Sequence, residues 1–160
     1  MILSLAIQLF KIKKMQEKKY SYEFPRPMLT TDSVVFGYDK KANDLKILLI
    51  QRAKDPFKNS WALPGGFLNM DETVDNCAKR ELFEETAIKD VFLEQLYTFS
   101  EIDRDPRGRT ISVVFFGLTD ISNNNPVAGD DAKNADWFPI LRLPKLAFDH
   151  EKIINKAIIT

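Results

Sequence analysis

The stretch Gly65-Gly-Phe-Leu-Asn-Met-Asp-Glu-Thr-Val-Asp-Asn-Cys-Ala-Lys-Arg-Glu-Leu-Phe-Glu-Glu-Thr-Ala-Ile88 decides how the chain reads. It opens as a Gly-Gly turn behind Pro64. It becomes helical from about Thr73, because Ala78, Lys79, Arg80, Glu81, Leu82, Glu84 and Glu85 are good helix formers with no proline or glycine among them. At roughly 100° per residue, Val74, Cys77, Ala78 and Leu82 share one apolar side. Glu81 and Glu85 fall within roughly 40° of the mean direction of that side, and Glu84 lies beside it. An ordinary amphipathic helix keeps its acids opposite the apolar stripe. Carboxylates turned inward cost free energy unless a cation compensates them. The helix is therefore built to hold positive charge, and hard divalent ions bound through oxygen are the natural occupants.

Outward from this helix, the flanks read as strands. Upstream, Met28 to Tyr38 contains a strand (Ser33-Val34-Val35-Phe36), followed by a polar turn over Asp39 to Asp44. Leu45 to Gln51 is nearly continuously apolar, the pattern of a strand buried on both faces. A loop from Asp55 to Ser60 and the segment Trp61-Ala62-Leu63-Pro64 lead into the helix region. Downstream, Val91 to Ser100 and Thr110 to Leu118 alternate well enough for paired strands, joined by the arginine-rich turn Glu101 to Arg109. Ala135 to Ile140 reads as a short strand after the loop Asn123 to Lys133. Asp149 is placed to cap a last amphipathic helix through Ile153, Ile154 and Ala157. Strands on both sides of one helix, with another helix at the end, predict an α+β fold of the α/β/α sandwich type.

Composition narrows the function classes. The chain has 160 residues, 44% hydrophobic and 29% charged, which suits one globular core. Lys+Arg and Asp+Glu both total 23, so no global field draws it to nucleic acid or to an anionic membrane. A single cysteine, Cys77, gives no disulfide framework and fits a reducing cytoplasm. The lone thiol reads as packing, and the lone His150 as a helix-start or surface residue. Residues 1–19 read as an N-terminal extension and 20–160 as a single domain. Ile2 to Phe10 is apolar but too short to span a membrane, and Lys11, Lys13 and Lys14 follow it instead of preceding it, unlike a secretory signal. A peripheral helix, a homodimer contact and an upstream start (Met15 being an alternative) all remain open for this segment.

The spacing Gly66, Glu72, Arg80-Glu81-Leu82, Glu84-Glu85, Ile88 resembles the Nudix box. Ala87 alone departs, where the family usually has glycine; if the position is left-handed, alanine costs on the order of 1 kcal/mol there. The resemblance implies the Nudix fold, a mixed β-sheet between helices with the box helix packed against it. It also implies Mg2+-dependent hydrolysis (Mn2+ as a substitute) of the pyrophosphate bond in a nucleoside diphosphate linked to another moiety. Matched position by position, it makes Glu81 and Glu85 the principal metal ligands, Glu84 their neighbour in the cluster, and the Gly65 carbonyl a backbone ligand. Arg80 would orient the glutamates and Glu72 would tie down the loop. Family members often draw a further carboxylate from the loop before the last strand, which points to Asp131 as general base, Asp130 second; Glu81 itself could activate the water instead.

Substrate choice rests on flanking residues. Asp103-Arg-Asp-Pro-Arg-Gly-Arg109 with Ile111 to Val114, and Leu146-Ala-Phe-Asp-His150, look like a Nudix group assigned as ADP-ribose pyrophosphatases. The proline that marks that group about fifteen residues beyond the box is missing, since Ile102 or Asp103 stands there and Pro106 comes later. Arg104 and Arg107, together with Arg52 at the exit of the second apolar strand, are the substrate-binding candidates, because guanidinium forks pair with phosphate oxygens. The leading expectation is conversion of ADP-ribose to AMP and ribose 5-phosphate. A hydrolase of non-standard nucleoside triphosphates is the alternative, and a non-cleaving ADP-ribose sensor related to Nudix transcription regulators is the alternative of another class. The implied partner is a small nucleotide, with no nucleic acid and no membrane.

Overall fold

The computed structural model describes residues 20–160, so the expectations for residues 1–19 lie outside the described residues. The elements are β1 (Met28–Asp39), β2 (Asp44–Arg52), β3 (Trp61–Ala62), β4 (Gly65–Phe67), helix α1 (Val74–Thr86), β5 (Glu94–Phe99), β6 (Thr110–Asp120), β7 (Ala132–Pro139) and helix α2 (His150–Ile158). One mixed sheet runs β3-β2-β1-β6-β5, with β4 also paired to β1 and β7 to β2. The pairing β1–β6 is parallel, from Met28↔Thr110 to Tyr38↔Asp120, while β1–β2, β5–β6 and β2–β7 are antiparallel.

Alternation along the central strands sends successive side chains to opposite faces. Val34, Ile47, Leu49 and Val114 pack with Ile153 and Ile154 of α2. Their neighbours Val35, Leu48 and Phe115 face the other way, onto Ala78 and Leu82 of α1. The result is the α/β/α sandwich expected. Leu48 and Leu49 are both fully buried, as the unbroken apolar run of β2 requires. Truncating either to alanine would cost about 2–5 kcal/mol. Among the described residues no helix is long and apolar enough to cross a membrane.

β1 is longer than its apolar part. Thr30, Thr31, Asp32 and Ser33 are polar yet buried, and they continue the strand; the Thr30, Thr31 and Asp32 side chains find partners, while the Ser33 hydroxyl has none among the described residues. The Thr31 hydroxyl donates to Cys77 Sγ at 3.3 Å, and Ser112 donates to the Asp32 carboxylate. Thr30 to Asp32 are also where β4 joins, with Asp32 opposite Gly65 and Thr30 opposite Phe67. The polar end of β1 thus sits beside the start of the Gly65–Ile88 stretch, and that end carries the site.

Helix α1 begins where the sequence places it. The Thr73 side chain accepts from the Asn76 amide, and the helix runs to Thr86. Ala87 then takes φ 57°, ψ 8°, with its N–H bonded to the Phe83 carbonyl, so the left-handed position is real and carries a Cβ. The next orphan carbonyls are met from the loop before β7: Val127 donates to Thr86 at 2.8 Å and Gly129 to Glu85 at 3.3 Å. Gly129 lies so close to the Glu84 carbonyl that no side chain would fit.

Asp149 precedes α2 as expected, but its side chain makes no cap hydrogen bond. Its carboxylate is bound instead by Arg104.

Candidate active site

The polar end of β1, the end of β2, β4, the inward side of α1 and the segments Arg104–Arg107 and Phe148–His150 enclose a cleft of about 400 Å³. On one wall, Glu81 and Glu85 leave α1 pointing inward, half-buried, whereas Glu84 is exposed and does not line the cleft. The helical phase accounts for this division, since Glu81 and Glu85 are one turn apart on the side of Ala78 and Leu82. A Cβ at Gly66 would displace the Glu81 carboxylate, so glycine here leaves that carboxylate its place in the cleft. Gly65 lines the cleft, and its amide donates to Glu85 Oε2 at 2.9 Å.

Arg80 organises the outer side of this wall. It donates to Glu72 at 2.6 and 3.0 Å, to Glu81 at 2.6 Å, to Glu84 at 3.0 Å and to the Phe67 carbonyl at 3.1 Å. Glu72 in turn accepts from the Asn69 amide at 2.8 Å, so the loop over the helix start is tied down. The Arg80 guanidinium holds the Glu72 carboxyl down at about 2. The inward glutamates behave oppositely. Burial pushes Glu85 up to about 8, opposed by the Gly65 amide and reinforced by the charges of Glu81 and Asp32. Burial also raises Glu81, against the pull of Arg80.

The fit to a divalent cation follows from this donor set. Two half-buried carboxylates that repel each other, in a cleft where no cationic side chain among the described residues is bonded to Glu85, are stabilised by a hard ion between them. Among the described residues no three His, Cys, Asp or Glu side chains converge to enclose an ion. Mg2+ suits that arrangement, because it commonly takes one or two carboxylates and completes its shell with water and substrate phosphate.

On the opposite wall stand Arg52 and Arg107. Arg52 spends Nε on the Pro56 carbonyl at 2.7 Å and has no carboxylate partner within ion-pair distance among the described residues. Burial lowers its affinity for a proton, and the neighbouring charge of Arg107 lowers it further. Arg107 is paired with Asp105 at 2.8 Å and lies over the Phe67 ring at 4.8 Å. Arg104, expected as a substrate-binding residue, lines the cleft but has its fork engaged within the protein. Its side chain is 4% exposed and grips Asp149 bidentately at 2.7 and 2.9 Å, with Asp32 at 3.9 Å. The turn is polar in sequence, but Arg104 and Asp105 are buried parts of it, so a wholly solvated hairpin tip is ruled out. Asp131 is at the cleft rim, 70% exposed and paired with Lys54 at 2.5 Å.

Two lining residues escape a reading by motif. Asp32 sits 8% exposed between Ser112 and Arg104. The available signal was the run of four polar residues inside an otherwise apolar strand. His150 starts α2 as expected, but it is buried: Nδ1 accepts from the Leu63 amide at 2.9 Å, and Nε2 lies 3.6 Å from Asp32. Burial holds its imidazole below the usual histidine range.

With this geometry in hand, comparison with known proteins is decisive: the NUDIX domain model matches residues 26–157. The chain belongs to the NUDIX family. An ADP-ribose pyrophosphatase of Methanocaldococcus jannaschii is 46% identical over 144 residues, 90% of this chain and 80% of that protein. An ADPR responsive transcriptional repressor of Acinetobacter baylyi is 35% identical over 139 residues, but the Nudix match spans only 54% of the repressor. In structure, the NUDIX domain of Shewanella oneidensis NrtR, complexed with ADP ribose, superposes with TM-score 0.78 at 34% identity, covering 88% of this chain and 93% of that one. The fold expectation holds, and the chain is a Nudix pyrophosphohydrolase.

Proposed function

We propose that this Nudix enzyme hydrolyses ADP-ribose to AMP and ribose 5-phosphate in a Mg2+-dependent reaction. One observation carries the proposal: the cleft sets two inward carboxylates, Glu81 and Glu85, against two guanidiniums, Arg52 and Arg107. That is the pairing a metal-bridged diphosphate needs, acids for the cation and arginine forks for the phosphate oxygens. The 46% identity to an ADP-ribose pyrophosphatase supports the substrate.

Glu81, Glu85 and the Gly65 carbonyl would hold the ion, with Glu84 beside them. When bound, the ion neutralises phosphate oxygens and lowers the pKa of a coordinated water. Arg80 fixes the Glu81 and Glu84 carboxylates in place, and Arg52 and Arg107 bind and orient the diphosphate. In the hydrolysis, water oxygen bonds to one phosphorus, the bridging P–O bond breaks, and the water's proton passes to a carboxylate. Glu81 is the better placed acceptor: it is half-buried at the cleft wall, and burial raises its carboxyl against the pull of Arg80. Asp131, exposed at the rim and held by Lys54, is the second candidate, with Asp130 beside it.

The sensor alternative has an observation of its own, since ADP-ribose is bound by the similar domain of Shewanella oneidensis NrtR. Binding is thus common to both readings, and cleavage separates them. The deciding experiment is a product assay with Mg2+ over ADP-ribose, nucleoside triphosphates, diadenosine polyphosphates and sugar nucleotides. AMP and ribose 5-phosphate formed fastest from ADP-ribose is the expected result. A higher specificity constant for a triphosphate overturns the substrate, and tight binding without product supports the sensor.

A further inference from the structure

Phe148 has a backbone that few bulky residues adopt, with φ 52° in the left-handed region. Such conformations persist only where the surroundings over-determine them, and they gather at ligand clamps. Here the surroundings are fixed residue by residue. Leu146 bridges to Trp61, and the Ala147 amide donates to the Trp61 carbonyl at 2.8 Å. Asp149 is held by Arg104, and His150 by the Leu63 amide at 2.9 Å. The ion pair of Arg104 and Asp149 therefore serves to pin one flank of Phe148, and its ring lines the cleft.

That ring touches both Arg52 and Arg107. The Arg52 guanidinium lies 4.9 Å from its centroid and the Arg107 guanidinium 5.2 Å. The two like charges on one ring repel each other; the π face and the Asp105 carboxylate on Arg107 offset part of that repulsion, while Arg52 has no carboxylate partner among the described residues. What remains is attraction for an anion long enough to meet both guanidiniums.

We propose that Phe148 is a positioning residue that sets the spacing of Arg52 and Arg107 to fit two linked phosphates. The inference rests on the nucleoside diphosphate reading of the cleft. It assigns Phe148 no contact with the reacting atoms. It predicts that the ring governs discrimination between one phosphate and two.

The test compares Phe148→Leu, which keeps an apolar side chain but loses the π face, with Phe148→Tyr, which keeps the ring. Binding of ADP and of AMP with Mg2+ is measured by titration calorimetry on the full chain, and KM and kcat on ADP-ribose are measured alongside thermal melting. Phe148→Leu is expected to weaken ADP binding at least about fivefold and AMP binding less than about twofold, with KM raised and kcat within about twofold. Phe148→Tyr is expected to restore the wild-type ADP to AMP ratio. If leucine unfolds the domain, Phe148→Met takes its place. Equal losses for ADP and AMP, a loss confined to kcat, or a folded tyrosine variant that behaves like leucine overturns the inference. A wild type that cleaves ADP-ribose while Phe148→Leu leaves the ADP to AMP ratio unchanged overturns this inference alone. A wild type whose ADP binding depends on Phe148 but which leaves ADP-ribose intact overturns the substrate reading alone.

Discussion

Arg80 and Arg104 are both surrounded by acids, and they contribute to the cleft in opposite ways. Arg80 collects Glu72, Glu81 and Glu84 from the middle of α1, partly shielded from solvent, with side-chain partners at most eight positions away. Arg104 reaches Asp149, 45 positions along the chain, and both side chains are almost fully buried. The first arrangement orders acids while leaving Glu81 facing the cleft. The second consumes its charge internally and supplies rigidity. An arginine beside a phosphate site is therefore a clamp only when its fork is left free, and in this cleft Arg52 meets that condition best.

The sharpest break between the two would be their removal. Arg104→Ala leaves Asp149 buried without its cation and is expected to cost about 3–5 kcal/mol of stability. Arg80→Ala leaves Glu72 and Glu81, 13% and 14% exposed at the side chain, without their cation, and is expected to cost less, about 1–3 kcal/mol, while lowering turnover. Denaturant titrations of both variants decide the matter, and equal losses would erase the contrast. Next in size, Glu85→Gln is expected to lower kcat at least tenfold, about 1.4 kcal/mol in the barrier, with near-UV circular dichroism unchanged. Undiminished turnover, or full activity in excess chelator, would sink the assignment of Glu85 as a metal ligand.

A smaller effect concerns protonation of the inward wall. Glu85 has its carboxyl raised to about 8, so the proton it carries stabilises the fold. That contribution is complete below the ordinary carboxyl range, declines as pH rises, and is lost through about 8. Metal-free protein should therefore melt at lower temperature at pH 8 than at pH 5 on account of this group. Mg2+ should raise the melting temperature more at pH 8, and Glu85→Gln should flatten both trends. A Mg2+ stabilisation that is equal at the two pH values, with Glu85 intact, counts against it.

The smallest expected change is at Ala87. Its φ of 57° is strained for alanine, so Ala87→Gly relieves about 1 kcal/mol and loses part of that to chain entropy. The denaturation midpoint should rise slightly or stay level, and a clear fall would mean the strain is absent.

What was legible in the sequence is what depends on near neighbours. The α1 boundaries, the inward phase of Glu81 and Glu85, and the Arg80 cluster all follow from spacing within one helix and the loop before it. The left-handed Ala87 followed from the family pattern. The apolar run of β2 showed its burial for the same local reason. Arg104, Asp32 and His150 could not be placed this way. Their partners lie on other strands and helices, and a polar residue gives no sign of whether solvent or a distant acid will satisfy it. Asp149 shows the limit well: its position before α2 suggests a cap, and a guanidinium from the loop between β5 and β6 takes the carboxylate instead.

The parallel pairing of β1 with β6 also has a consequence in time. Asp32 and Ser112, bonded to each other across the two strands, are separated by 80 residues. Contacts so distant in sequence form only after a costly loop closure, and they slow folding compared with local hairpins. On the ribosome, β1, β2 and the box helix emerge well before β6, so a nascent chain holds the glutamates and Arg52 before Arg107 and Phe148 have been made. The two halves of the cleft meet only when the last third of the chain has been made.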